Sequence, residues 1–103
     1  DEFNLPVDNL PNRLSHLTFY YLSNFNCPVD NLPSSITHLT FGKSFNKPVD
    51  NLPSSITHLV FGFSFNKPVD NLPFNIKTIT FNSNNKYKKE DFVKYKKVEI
   101  LFK

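Results

Sequence analysis

Apolar and polar positions in this chain alternate in short bursts that return at a fixed interval. Ile36, Leu39 and Phe41 follow an I-x-x-L-x-F spacing, and the last two alternate with His38, Thr40 and Gly42. That period of two marks a short strand with one buried face. The same spacing recurs at Leu14, Leu17 and Phe19, at Ile56, Leu59 and Phe61, and at Ile76, Ile79 and Phe81. The strand phenylalanines lie 22, 20 and 20 residues apart, and a further 21 reaches Phe102, so a fifth strand is predicted over residues 100–102. Between strands the chain runs through Pro28, Val29, Asp30, Asn31, Leu32 and Pro33 and their counterparts. Paired prolines remove backbone donors and fix φ, which excludes a regular helix and predicts an extended or turn-like return. Strands that share a direction and are joined by long returns pair in parallel.

The interval belongs to a whole phrase. Residues 25–42 (FNCPVDNLPSSITHLTFG) and 45–62 (FNKPVDNLPSSITHLVFG) differ only at Cys27/Lys47 and Thr40/Val60. Weaker copies begin at Phe3 and Phe65. Such self-similarity predicts a mainly β solenoid of the leucine-rich-repeat type, with one parallel strand per copy of about 20–22 residues. No regular helix is expected outside a C-terminal cap. Residues 1–85 read as four repeats, starting near 3, 25, 45 and 65, and residues 86–103 as a degenerate capping repeat in which Val93 takes the place of Leu32. Stacked copies put equivalent residues in columns about 4.8 Å apart. Phe19, Phe41, Phe61, Phe81 and Phe102 form one predicted spine, and Phe3, Phe25, Phe45, Phe65 and Tyr87 a second. Asparagines 9, 31, 51 and 71, and 4, 26, 46 and 66, are placed to bond along their columns.

Composition fits this picture. In 103 residues, 39% are hydrophobic and 16% aromatic, enough for a core shared between neighbouring copies. No apolar run approaches the ~18 residues of a membrane span. Cys27 is the sole cysteine and stands where Lys47 and Lys67 stand in sister copies, which excludes a disulfide framework and suits a reducing, cytoplasmic location. A chain without methionine that opens two residues before a copy suggests a longer parent. The net charge of +3 arises in the tail: seven lysines follow from Lys86, against Glu90, Asp91 and Glu99.

Catalytic and metal chemistry find little support. Ser35 and His38 repeat with the scaffold, and no carboxylate is spaced to orient them. One aspartate per copy, at 8, 30, 50 and 70, supplies too few oxygens for a calcium ladder. His16, His38 and His58 stand in register, open to reading as a zinc site, a pH-sensitive column or a solvated strand face; parallel side chains do not converge on an ion. No cofactor is implied.

The phrase Phe-Asn-x-Pro-Val-Asp-Asn-Leu-Pro-Ser-Ser-Ile-Thr-His-Leu-Thr-Phe-Gly resembles the FNIP repeat, a short leucine-rich-repeat variant of giant viruses and social amoebae. The resemblance covers residues 3 to about 83. It implies a protein-interaction module, and by analogy with arrays joined to an F-box it implies the substrate-recognition part of a ubiquitin-ligase adaptor, with the scaffold engaged through an upstream F-box. A viral origin would place it in the host cytoplasm.

In such a ribbon the concave strand face is where a partner binds. The predicted contact residues are His16, His38, His58, Thr40 and Lys77 with Tyr20, Tyr21, Lys43 and Phe63, the last four varying where the scaffold is constant. Exposed aromatics beside polar groups are the types that anchor interfaces. The competing readings are a purely structural spacer, or weak nucleic-acid binding through the basic tail.

Overall fold

A computed structural model describes residues 6–82, 86–95 and 97–103. Five strands form one sheet: β1 (His16–Thr18), β2 (His38–Thr40), β3 (His58–Phe61), β4 (Thr78–Phe81) and β5 (Glu99–Phe102). All four pairings are parallel and consecutive, in the order β1-β2-β3-β4-β5. The register follows the repeat: His16 faces His38, His38 faces His58, and His58 faces Thr78. Leu17, Leu39, Leu59, Ile79 and Ile100 form the inward column between them.

Each strand is short because only three or four residues alternate before Pro, Asn and Gly end the pattern. The returns are extended segments and turns without an α-helix among the described residues. The one helical piece is a 3-10 turn, Lys89–Phe92, in the C-terminal unit. Phe92 is 1% exposed there, whereas Val93 is 80% exposed. Val93 therefore does not take the inward place that spacing gives it; Phe92 and Tyr95 are buried there instead, the Tyr95 hydroxyl donating to the Val69 carbonyl and accepting the Leu72 N–H.

The core is a line of rings. Phe41 and Phe45 stack at 3.7 Å and Phe61 and Phe65 at 3.9 Å within their copies, while Phe41–Phe61 and Phe45–Phe65 stack at 5.8 and 6.1 Å between copies. Phe19 and Phe25 begin the zigzag; Phe81, Tyr87 and Phe102 continue it. Burial of each ring contributes about 1.5–3 kcal/mol. Phe3 and Asn4 lie outside the described residues.

Polar columns close the backbone of the returns. Asn26 Oδ1 accepts the Asn46 N–H at 2.7 Å, and Asn46 Oδ1 accepts the Asn66 N–H at 2.8 Å. Lys86 ends that ladder on Asn66 Oδ1. Ser35 and Ser55 donate to the Leu14 and Ile36 carbonyls, both at 2.6 Å. Asn31 and Asn51 donate to Asp8 and Asp30 at 3.5 and 3.4 Å. Each copy thus meets its neighbour through an asparagine ladder, a serine and an Asn–Asp contact, which together hold the register.

Candidate functional site

The strand residues that alternate with the buried column stand on the outward face of the sheet. There the three histidines stack as parallel plates, His16 on His38 at 4.1 Å and His38 on His58 at 4.2 Å. The hydroxyl of the residue before each ring, Ser15, Thr37 or Thr57, lies within hydrogen-bond reach of its Nδ1. Thr37 Oγ1 lies 3.2 Å from the Ser15 carbonyl and 2.8 Å from His38 Nδ1, and Thr57 repeats this with Thr37 and His58 at 3.3 and 2.8 Å. A carbonyl only accepts, so both contacts are attractive when the hydroxyl donates to it and Nδ1–H donates to the hydroxyl. Nε2 is then the acceptor at the open edge of the ring. Desolvation, with His58 and His16 adding repulsion, holds His38 below its ordinary value of 6.5. Parallel plates do not aim their nitrogens at one point, and among the described residues no group of three His, Cys, Asp or Glu is placed to hold a metal ion.

Thr40 follows His38 on this face, half-buried beside Val60 and Thr18. Lys77 stands at the entry to β4, where its backbone bonds Thr57 and Glu99.

At the other end of the strands the chain leaves the sheet, and there the copies differ. A groove of about 340 Å³ opens between Tyr21, Lys43, Phe63, Gly42, Gly62 and Asn82, with Phe41 beneath and Lys103 at the far end. Tyr21 is 64% and Phe63 68% exposed, large rings held in water on a scaffold that buries the stacked Phe19, Phe25, Phe41, Phe45, Phe61, Phe65 and Phe81. The floor is backbone. A Cβ on Gly62 would sit 2.1 Å from the Gly42 carbonyl oxygen, and one on Gly42 2.5 Å from that of Tyr20, so glycine is required by close approach.

The first copy builds one wall by an insertion. Phe19 and Phe25 are six residues apart where Phe41 and Phe45 are four, yet the rings still stack at 4.2 Å. The two extra residues are absorbed in a turn closed by Ser23 N–H donating to the Tyr20 carbonyl at 2.8 Å, and the buried Ser23 hydroxyl accepts the Phe25 N–H at 3.1 Å. Tyr20, Tyr21 and Leu22 are pushed outward. Tyr20 packs on Tyr21 at 4.8 Å, and a hydrogen bond between the phenols raises Tyr20 above its ordinary value.

The structure therefore brings Tyr21, Lys43 and Phe63 together, with Tyr20 beside them, and places His16, His38 and His58 as a separate stack on the same strands. Asn82 and Lys103 complete the groove; Asn82 continues the column of Gly42 and Gly62, whereas Lys103 was not predicted for it. The signal was present: Lys103 follows Phe102 as Gly42 follows Phe41 and Gly62 follows Phe61.

Parallel strands, one per copy, with a ring-filled interior and extended returns, define a leucine-rich-repeat-like solenoid. The FNIP repeat model matches residues 3–44, 24–63 and 45–84, and the chain belongs to that family. A solved structure described as CroV588, a novel circular LRR protein, is 36% identical with a TM-score of 0.77; the match covers 98% of this chain and 16% of that one. No curated protein matches. Family and fold fit a protein-interaction repeat module.

Proposed function

We propose that this chain recruits a protein partner without catalysing a reaction, reading it with the outward strand face and anchoring it in the groove at the strands' exit. The observation that carries this is the groove itself: two exposed rings and a lysine, each a departure from the repeated phrase, meet on a floor of glycine backbone. Aromatic residues are enriched among interface anchors. In the wider proposal the chain is the substrate-recognition part of a cytoplasmic F-box-type ubiquitin-ligase adaptor, supported by the family alone. No helix of the described residues is long and apolar enough to cross a membrane.

Five strands about 4.8 Å apart and, at three or four residues each, roughly 10–13 Å long give a face of about 250–300 Å², about a third of the ~800 Å² a standard interface takes from each partner. Binding by this segment is therefore weak, and further copies in a longer parent would complete the surface. In the tail, Lys94 bonds the Asp70 carbonyl and Lys86 bonds Asn66, so two of its lysines tie the last unit to the fourth copy. That use favours a capping role over a nucleic-acid one.

Panning a random-peptide library on the wild type and on the Tyr21→Ala, Lys43→Ala, Phe63→Ala triple variant tests the proposal. Sequences enriched on the wild type should be lost on the variant, with thermal unfolding unchanged. Equal enrichment on both would place the binding surface elsewhere.

A further inference from the structure

Among the described residues, acidic side chains stand on the returns and at the strand entry, away from the groove. Asp8, Asp30, Asp50 and Asp70 all lie on the returns before the strands, where asparagines of the next copy bond two of them. Glu99 stands at the first position of β5, the end remote from the groove. At the strands' exit the described residues around the groove include Lys43 and Lys103 and no Asp or Glu side chain. Cations stand on the return side as well, Lys47, Lys67 and Lys77 among them, so what sets the groove apart is lysine with no acidic side chain beside it.

The order of side chains across the strands is equally uneven. Successive copies place Tyr21, then Lys43, then Phe63 at equivalent positions, so a cation stands between two exposed rings at spacings of about 4.8 Å per copy. Lys103 lies in the last unit, beyond Asn82, as a second cation on the same groove. Among the described residues the ammonium of Lys43 bonds the Ser44 hydroxyl, a long contact of 3.4 Å that a carboxylate would readily replace. Glycine at 42 and 62 keeps the floor low, so an incoming side chain meets backbone and ring faces. The ~340 Å³ is near the lower end of small-ligand sites, room for one large side chain and its neighbour.

We infer that the groove takes an acidic side chain flanked by apolar ones in an extended peptide segment, the carboxylate lying on Lys43 and the flanking groups on Tyr21 and Phe63, with Lys103, about three strand spacings of ~4.8 Å further along, adding to the positive potential of the groove. This rests on the partner-recruiting function proposed above and names the chemistry of the partner's anchor. The carboxylate loses part of its water between two rings, which strengthens its pairing with lysine relative to a fully exposed pair. A basic segment is repelled by the same two cations, so the groove discriminates by charge. Because the pairs stay partly solvated, the discrimination is sensitive to salt.

Capped peptides Gly-Phe-Asp-Phe-Gly, Gly-Phe-Asn-Phe-Gly and Gly-Phe-Lys-Phe-Gly provide the test, titrated into isotope-labelled protein and followed by amide NMR shifts. The Asp peptide should shift Tyr21, Lys43 and Phe63 and bind about fivefold tighter than its Asn counterpart, with the Lys peptide weakest. The Asp advantage should shrink in ~0.5 M salt and vanish in the Lys43→Gln, Lys103→Gln double variant at unchanged melting temperature. Equal affinity for Asp and Asn, preference for Lys, or shifts confined to another face would overturn the inference, as would failure of all three peptides to bind. Library-selected ligands that need Tyr21 and Phe63 but carry no acid would sink this inference while leaving the partner-recruiting function standing. Ligands indifferent to the groove would remove both.

Discussion

Single side chains in this protein do either of two jobs, filling the shared interior or departing from the phrase at the surface, and glycine shows how strict the first job is. Gly62 leaves no room for a methyl group, since a Cβ there would come within 2.1 Å of a backbone oxygen that cannot rotate away. Gly62→Ala should therefore cost about 1–3 kcal/mol or more through forced separation of adjacent copies, read as a fall in urea midpoint. A midpoint equal to wild type would mean that the copies are not this close. His38 makes the matching case for charge. Its folded-state pKa is lowered, so below 6.5 the unfolded chain takes up a proton more readily than the folded one. Stability is then full above pH 6.5 and falls as pH drops through that value toward the lowered one. Melting curves from pH 8 to 5 should show this decline and a shallower one for His38→Gln; identical slopes would contradict the stacked geometry.

Each copy contributes a strand, a ring pair and a return, and these were legible in the sequence to different degrees. Strand existence, direction and register followed from the I-x-x-L-x-F spacing because a period of two with one buried face admits a single inward set, and the observed pairs His16–His38 and Leu39–Leu59 keep it. The position of Phe92 was not legible. A 3-10 turn replaces the phrase there, and spacing alone assigned an inward place to Val93, which stands exposed. The groove was half legible. Tyr21, Lys43 and Phe63 stand out as departures from a constant frame, whereas Lys103 and Asn82 are ordinary until stacking carries them alongside. The two extra residues after Phe19 were visible as a 22-residue step, but not that they turn outward while both rings keep the stack. Ring position along the spine also sets energetic weight. Phe61 is fully buried and touches Phe41, Phe65 and Phe81, while Phe102 ends the line at 39% exposure. Phe61→Ala should cost about 3–5 kcal/mol and Phe102→Ala under about 1 kcal/mol in urea unfolding. Comparable losses at both sites would refute a core whose weight lies at its centre.

The assembled molecule is a line of neighbours, each copy holding only the next, so sequence changes on the outward face are nearly free of structural consequence. That separation of frame from surface is what lets one rim carry Tyr21, Lys43 and Phe63 without disturbing the rings beneath. It also keeps acidic side chains on the returns, away from the groove that Lys43 and Lys103 line. The proposed function depends on the departures from the phrase, and the histidine stack offers a control on the same strands. The most direct measurement is the affinity of one library-selected peptide for two triple variants: Tyr21→Ala, Lys43→Ala, Phe63→Ala, and His16→Gln, His38→Gln, His58→Gln. The first should lose more than about tenfold and the second less than about threefold, both variants folding as the wild type does. A ligand held by the histidines and indifferent to the groove would contradict the account.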